Sequence, residues 1–131
     1  MSFGQRDFDR QKPEIDFPGH DAPTDLVIED LIEGKGEEAK AGQTVSTHYV
    51  GVAFSTGEEF DASWNRGTPL DFKVGVGQVI QGWDQGLLGM KVGGRRRLEI
   101  PSNLAYGAAG AGSAIGPNEA LIFVVDLLGV R

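Results

Sequence analysis

The side chains in this chain best equipped to act on a ligand are aromatic. Tyr49, Phe60, Phe72, Trp83, Tyr106 and Phe123 are strung between residues 49 and 123. Two readings fit them: a hydrophobic core, or the walls of a concave apolar pocket. Their spacing alone does not choose. Tyrosine and tryptophan add one polar handle each, an O–H or an N–H.

Nucleophile and metal chemistry are poorly supplied. There is no cysteine, which excludes a disulfide scaffold, a thiol nucleophile and a Cys-based zinc site. The two histidines, His20 and His48, are far apart in sequence and suggest no metal site, and no carboxylate pairing stands out for glycoside chemistry. Gly75-Val76-Gly77 and Gly110-Ala111-Gly112 lack the third glycine and the strand-to-helix setting of a phosphate-cradling loop. Ser113 has Ala111 two residues before it, so it is no nucleophile elbow. Neither a cofactor nor a metal is expected.

The net charge of -7 works against phosphate backbones and anionic lipids. Nucleic acid and membrane are therefore not expected partners. Arg95-Arg96-Arg97 does not reverse this, because successive residues of a strand face opposite ways and cannot form one patch. The first twenty residues lack the basic start and apolar stretch of a secretory signal, and no run approaches the ~18 apolar residues of a membrane span. A cytoplasmic monomer is the expectation.

Positioning the aromatics falls to a β-rich chain. Its 20 glycines exceed the usual ~7% share and punctuate short apolar runs. Leu26, Ile28 and Ile32 on even positions predict a half-buried strand. Residues 43–54 predict a long one, with Val45, Thr47 and Tyr49 on one face and His48, Val50 and Val52 on the other. This places His48 away from Tyr49, in a structural role. A short strand through Glu59 and Phe60, one over Leu70, Phe72 and Val74, one over 95–100 with Leu98 and Ile100 inward, and one over 120–128 complete the set. Between them, Ile80, Trp83 and Leu87 share a face at helical spacing within 79–88. Gly82 and Gly86 weaken that helix by ~1 kcal/mol each relative to alanine, which implies close packing against a sheet. The sum is α+β: an antiparallel sheet of about five strands around one short helix. Residues 1–24 are polar, contain Pro13, Pro18 and Pro23, and read as a flexible or loosely docked arm that Ile15 and Phe17 can pin. The working domain spans 25–131.

Several of these segments resemble, in order, the signatures of the FKBP-type peptidyl-prolyl cis-trans isomerases. Residues 43–51, QTVSTHYVG, resemble the family's VxVHYxG strand, and Glu59-Phe60-Asp61-Ala62-Ser63 its F-D-S-S segment. Residues 79–86, VIQGWDQG, resemble its central helix. Met90-Lys91-Val92-Gly93-Gly94, Leu104-Ala105-Tyr106-Gly107 and the closing residues 121–128, LIFVVDLL, follow. Each motif alone is weak, but six in order are specific.

The resemblance implies a proline pocket between sheet and helix. Trp83 would be its floor, and Tyr49, Phe60, Val79, Ile80, Tyr106 and Phe123 its walls. Asp61 would stand at the edge, paired with Arg66, and Ile115 on an overhanging loop. Asp61 could act electrostatically on the substrate or only shape a loop with Arg66. The Tyr106 hydroxyl is the candidate to hold a substrate carbonyl. Proline-containing polypeptides would be the substrates, and the macrolides tacrolimus and rapamycin ligands. Leu70, where many relatives carry phenylalanine, together with Ala111 and Ala114, widens one edge. That keeps a non-catalytic proline-peptide docking module as the alternative. Removing the arm is expected to cost little activity.

Overall fold

A long central strand organises the molecule. In the computed structural model, which describes residues 10–16 and 18–131, β2 (Thr44–Ala53) pairs antiparallel along most of its length with β6 (Leu121–Val130). Its other edge is shared. β4 (Leu70–Lys73) takes the first half of β2, and β3 (Glu59–Ala62) takes the second. On the far side of β6 lie β5 (Arg95–Ile100) and then β1 (Val27–Ile32). The sheet therefore has six strands, one for each segment that the alternation picks out, in keeping with the expected sheet of about five.

A four-residue turn of helix, α1 (Ser63–Arg66), follows β3 directly. The principal helix, α2 (Gln81–Gly86), is shorter than the 79–88 pattern. Val79 and Ile80 lie before its first turn, where Ile80 has an extended backbone. The helix rests against β5 with almost no gap. A Cβ added at Gly82 would sit 2.5 Å from Ile100 Cγ2, and one at Gly86 would sit 2.9 Å from Leu98 Cδ2. The two glycines thus give up helix propensity for contact with the sheet.

Both faces of the sheet are apolar. On the helix side, Val45, Tyr49, Phe72, Trp83, Leu98, Ile100, Leu121, Phe123, Val125 and Leu127 form the main core. On the other side, Val50, Val52, Phe54, Ala62, Ala120 and Ile122 form a second cluster, against which Ile15 and Trp64 pack. Residues of opposite parity on β2 and β6 feed the two sides, so both strands are buried on both faces. His48 lies on the second side, as its alternation predicts. Its ring stacks on Trp64 at 4.4 Å, and its Nδ1 lies 2.8 Å from Ser63 Oγ.

The half-buried reading of β1 is corrected. Val27, Ile28, Leu31 and Ile32 are all 41–45% exposed, because β1 is an edge strand that pairs only with β5. The arginine run splits as expected. Arg96 is buried on the helix side, donating to Asp30 and to the Gly86 and Leu88 carbonyls. Arg95 and Arg97 engage Asp126 and Glu99. Phe17, proposed as one pin of the arm, lies outside the described residues. Among those described, no helix is long and apolar enough to cross a membrane.

Candidate active site

The main core does not close completely. Between α2, the strands and the loops lies a cavity of about 430 Å³, lined by Tyr49, Phe60, Asp61, Leu70, Gly77, Gln78, Val79, Ile80, Trp83, Tyr106 and Phe123. The Trp83 indole, only 4% exposed, is held by three rings. Tyr49 and Phe123 meet it edge-on at 5.1 and 5.2 Å, and Phe72 is tilted against it at 5.5 Å. Phe60 stands edge-on to Phe123 at 5.5 Å. These are the preferred geometries for aromatic pairs, so the rings brace one another while leaving space above them. That space needs a missing side chain: a Cβ at Gly51 would lie 2.6 Å from the Phe123 ring and 2.7 Å from that of Phe60.

One wall is polar. The Tyr49 hydroxyl donates to Asp61 Oδ2 at 2.5 Å. Arg66 donates to Asp61 Oδ1 at 2.7 Å and to the Tyr49 oxygen at 2.8 Å, with its guanidinium 5.8 Å from the Tyr49 ring centre. Burial pushes the Asp61 carboxyl up, but the hydrogen bonds from Tyr49 and Arg66 outweigh it and hold the group below its ordinary value. Burial, reinforced by the bond to Asp61, raises the Tyr49 phenol, and burial beside the charge of Asp61 raises Tyr106. Asp61 is therefore a fixed negative charge at neutral pH, and both tyrosines remain donors. Tyr106 is 40% exposed at the rim. The Trp83 indole N–H is buried and has no acceptor among the described residues.

Most of the residues singled out from sequence meet here, but Arg66, Ile115 and the two alanines expected to widen one edge, Ala111 and Ala114, are not among the lining residues. Arg66 stands behind Asp61, outside the lining. Ile115 points into the main core, where it is buried, and bridges Ala111 through two backbone hydrogen bonds at 2.8 and 3.1 Å. Two wall residues, Gly77 and Gln78, went unread. They belong to the turn after β4, which Asp84 of α2 ties down: its carboxylate accepts from the N–H of Gly75 at 2.7 Å and of Gly77 at 2.8 Å. The only sequence signal was an acid in a helix's first turn, close after a glycine pair. Among the described residues no cluster of side chains could hold a metal ion.

Comparison with known proteins identifies the fold and then the family. The solved structure of AtFKBP13 superposes with a TM-score of 0.77 at 42% sequence identity, over 84% of this chain and 96% of that one. A family model described as FKBP-type peptidyl-prolyl cis-trans isomerase matches residues 35–128. The FK506-binding protein of Streptomyces anulatus is 69% identical over 121 residues, covering 92% of this chain and 98% of that protein. A probable FK506-binding protein of Corynebacterium glutamicum is 50% identical over 118 residues, covering 90% and 98%. The chain belongs to the FKBP-type peptidyl-prolyl cis-trans isomerases.

Proposed function

We propose that the aromatic cavity is where this isomerase turns its substrates, with Trp83 as floor, Asp61 and Tyr106 as the polar groups that meet the substrate backbone, and Tyr49, Phe60, Leu70, Val79, Ile80 and Phe123 as the walls around the proline ring. The observation that carries this reading is the juxtaposition of an aromatic floor with one polar wall, Tyr49–Asp61, backed by Arg66.

The chemistry requires little else. Amide resonance sets a rotation barrier of ~18–20 kcal/mol, and an X-Pro bond turns unaided in tens to hundreds of seconds. The planar amide is more charge-separated than the twisted one. Transfer into an apolar pocket therefore raises the ground state relative to the transition state. A rate gain of about 10⁴ needs only ~5.5 kcal/mol. The Tyr106 hydroxyl at the rim suits a substrate carbonyl, and the Asp61 carboxylate, which can only accept, suits a substrate backbone N–H. Arg66 and Tyr49 keep Asp61 ionised and aimed; neither is asked to move a proton. Proline-containing polypeptides are the substrates in this reading, and tacrolimus and rapamycin occupy the same cavity. The protein works as a cytoplasmic monomer.

The test is isomerisation of a short Leu-Pro or Phe-Pro peptide, by protease coupling or NMR exchange, with tacrolimus as competitor. Catalysis blocked by the drug, and reduced in Asp61→Asn, is expected. Drug binding without turnover would instead establish the docking module, for which the aliphatic Leu70 edge is the structural argument.

A further inference from the structure

We propose that the segment around Arg10 and Lys12 is a positioning strap for the isomerase site, gripping from the far side of the sheet the strands and turn that carry Tyr49, Asp61 and Arg66. The inference rests on the assignment of the cavity made above, and it reverses the expectation that the arm is dispensable.

Two lines of contact lead from the segment to the site. In the first, Lys12 Nζ lies 2.8 Å from Glu59 Oε1 and donates to Asn65 Oδ1 at 2.9 Å, while Asn65 donates to Glu59 Oε2 at 2.9 Å. Glu59 directly precedes Phe60 and Asp61 on β3, and Asn65 directly precedes Arg66 on α1. Lys12 therefore joins from outside the same two elements that the Asp61–Arg66 pair joins from inside. In the second, Arg10 donates to the buried Asp126 at 2.9 Å and to the Gly93 carbonyl at 3.0 Å, and Arg95 returns a bond to the Gln11 carbonyl at 2.8 Å. Asp126 stands opposite His48 in the β2–β6 ladder. His48 Nδ1 meets Ser63 Oγ, which also accepts the Tyr49 N–H at 2.7 Å. Ser63 is the first residue of α1.

Three residues beyond Lys12, Ile15 packs on the second apolar cluster beside Val50 and Val52. The strap lies outside the part of the chain that the family model matches, residues 35–128. The alignment with the Streptomyces protein, over 121 of the 131 residues, takes in residues 12–24 wherever it begins.

The experiment uses the full chain. The double variant Arg10→Ala with Lys12→Ala, the single variant Lys12→Arg and, as a control on the cavity, Asp61→Asn are compared for kcat/KM on a Leu-Pro peptide, for Kd of a proline peptide, for Tm and for amide chemical shifts. The double variant is expected to lose about fivefold in kcat/KM, the size of effect that one or two partly exposed ion pairs supply. Kd should weaken in step, and the Asp61 and Arg66 amides should shift. Lys12→Arg, which keeps the charge, should retain activity. A double variant that lowers Tm but leaves kcat/KM, Kd and those amide signals unchanged would overturn the proposal, since the strap would then only stabilise. If Asp61→Asn also kept full activity, the cavity assignment itself would fail, and the strap would have no site to position.

Discussion

On the helix side of the sheet, Tyr49, Trp83 and Phe123 are large, rigid and mutually edge-on, and they leave a cavity. On the opposite side, Val50, Val52, Ala62, Ala120 and Ile122 are small and aliphatic, with only the rings of Phe54 and Trp64 among them, and a crossing peptide segment pinned by ions and by Ile15 covers part of the cluster. The same two strands, β2 and β6, supply both sides by alternation. Bulky rings braced by one another support an opening without collapse; small branched side chains need a cover. Shape therefore follows from side-chain size at alternate positions of the same strand.

The comparison can be broken most severely at its centre. Trp83→Ala removes the ring on which three others lean, and a loss of ~3–5 kcal/mol is expected in denaturant unfolding, together with peptide binding. Gly82→Val drives a side chain into Ile100, with an expected cost approaching ~3 kcal/mol. Normal stability for that variant would mean that the helix is not seated against β5 as described. On the other side, Ile15→Ala gives up a half-buried side chain, so about 1 kcal/mol is expected. A cost as large as that of Trp83→Ala would erase the distinction between the two sides.

Tyr106→Phe tests the rim. The fold should persist by near-UV circular dichroism while peptide affinity falls by up to about tenfold, the worth of one hydrogen bond. Unchanged affinity would remove the hydroxyl from the mechanism.

The smallest effect is one of pH. Burial lowers the His48 pKa from 6.5, against the opposing charge of Asp126. As pH falls below 6.5 the unfolded chain takes up a proton at this position before the folded one does, so stability should decline until folded His48 also protonates. Above 6.5 this group contributes no slope. Tm followed from pH 7.5 to 5.5 should show the decline, and His48→Gln should flatten it. Asp61, held below its ordinary value, behaves differently: its contribution is present above about pH 4 and is lost only as pH falls through the folded value.

Much of this was legible in the residues. β5 fell where the pattern put it, and the alternation along β2 separated His48 from Tyr49 correctly, because a strand buried on both faces still sorts its side chains by parity. The glycine pair in α2 announced close packing. The burial of β1 was misread because alternation reports two faces and not whether anything covers them. The helix was drawn too long because Val79 and Ile80 are apolar as cavity wall rather than as helix stripe. The Asp84 tie to the Gly75–Gly77 turn could not be read, since a carboxylate caps whichever N–H groups the tertiary fold brings to it. The bond from Arg10 to Asp126 spans 116 residues, and no local pattern encodes it.

The seating of α2 on β5 has one more consequence. Because backbone presses directly on Ile100 and Leu98, the height of the Trp83 ring is set by main-chain contact and has almost no side-chain slack. The depth of the recess is in effect a constant. Only its margin, at Leu70 and Gln78, is free to vary without disturbing the scaffold. Selectivity among prolyl sequences is therefore a property that drift or engineering can retune at the margin while the turning machinery beneath stays the same.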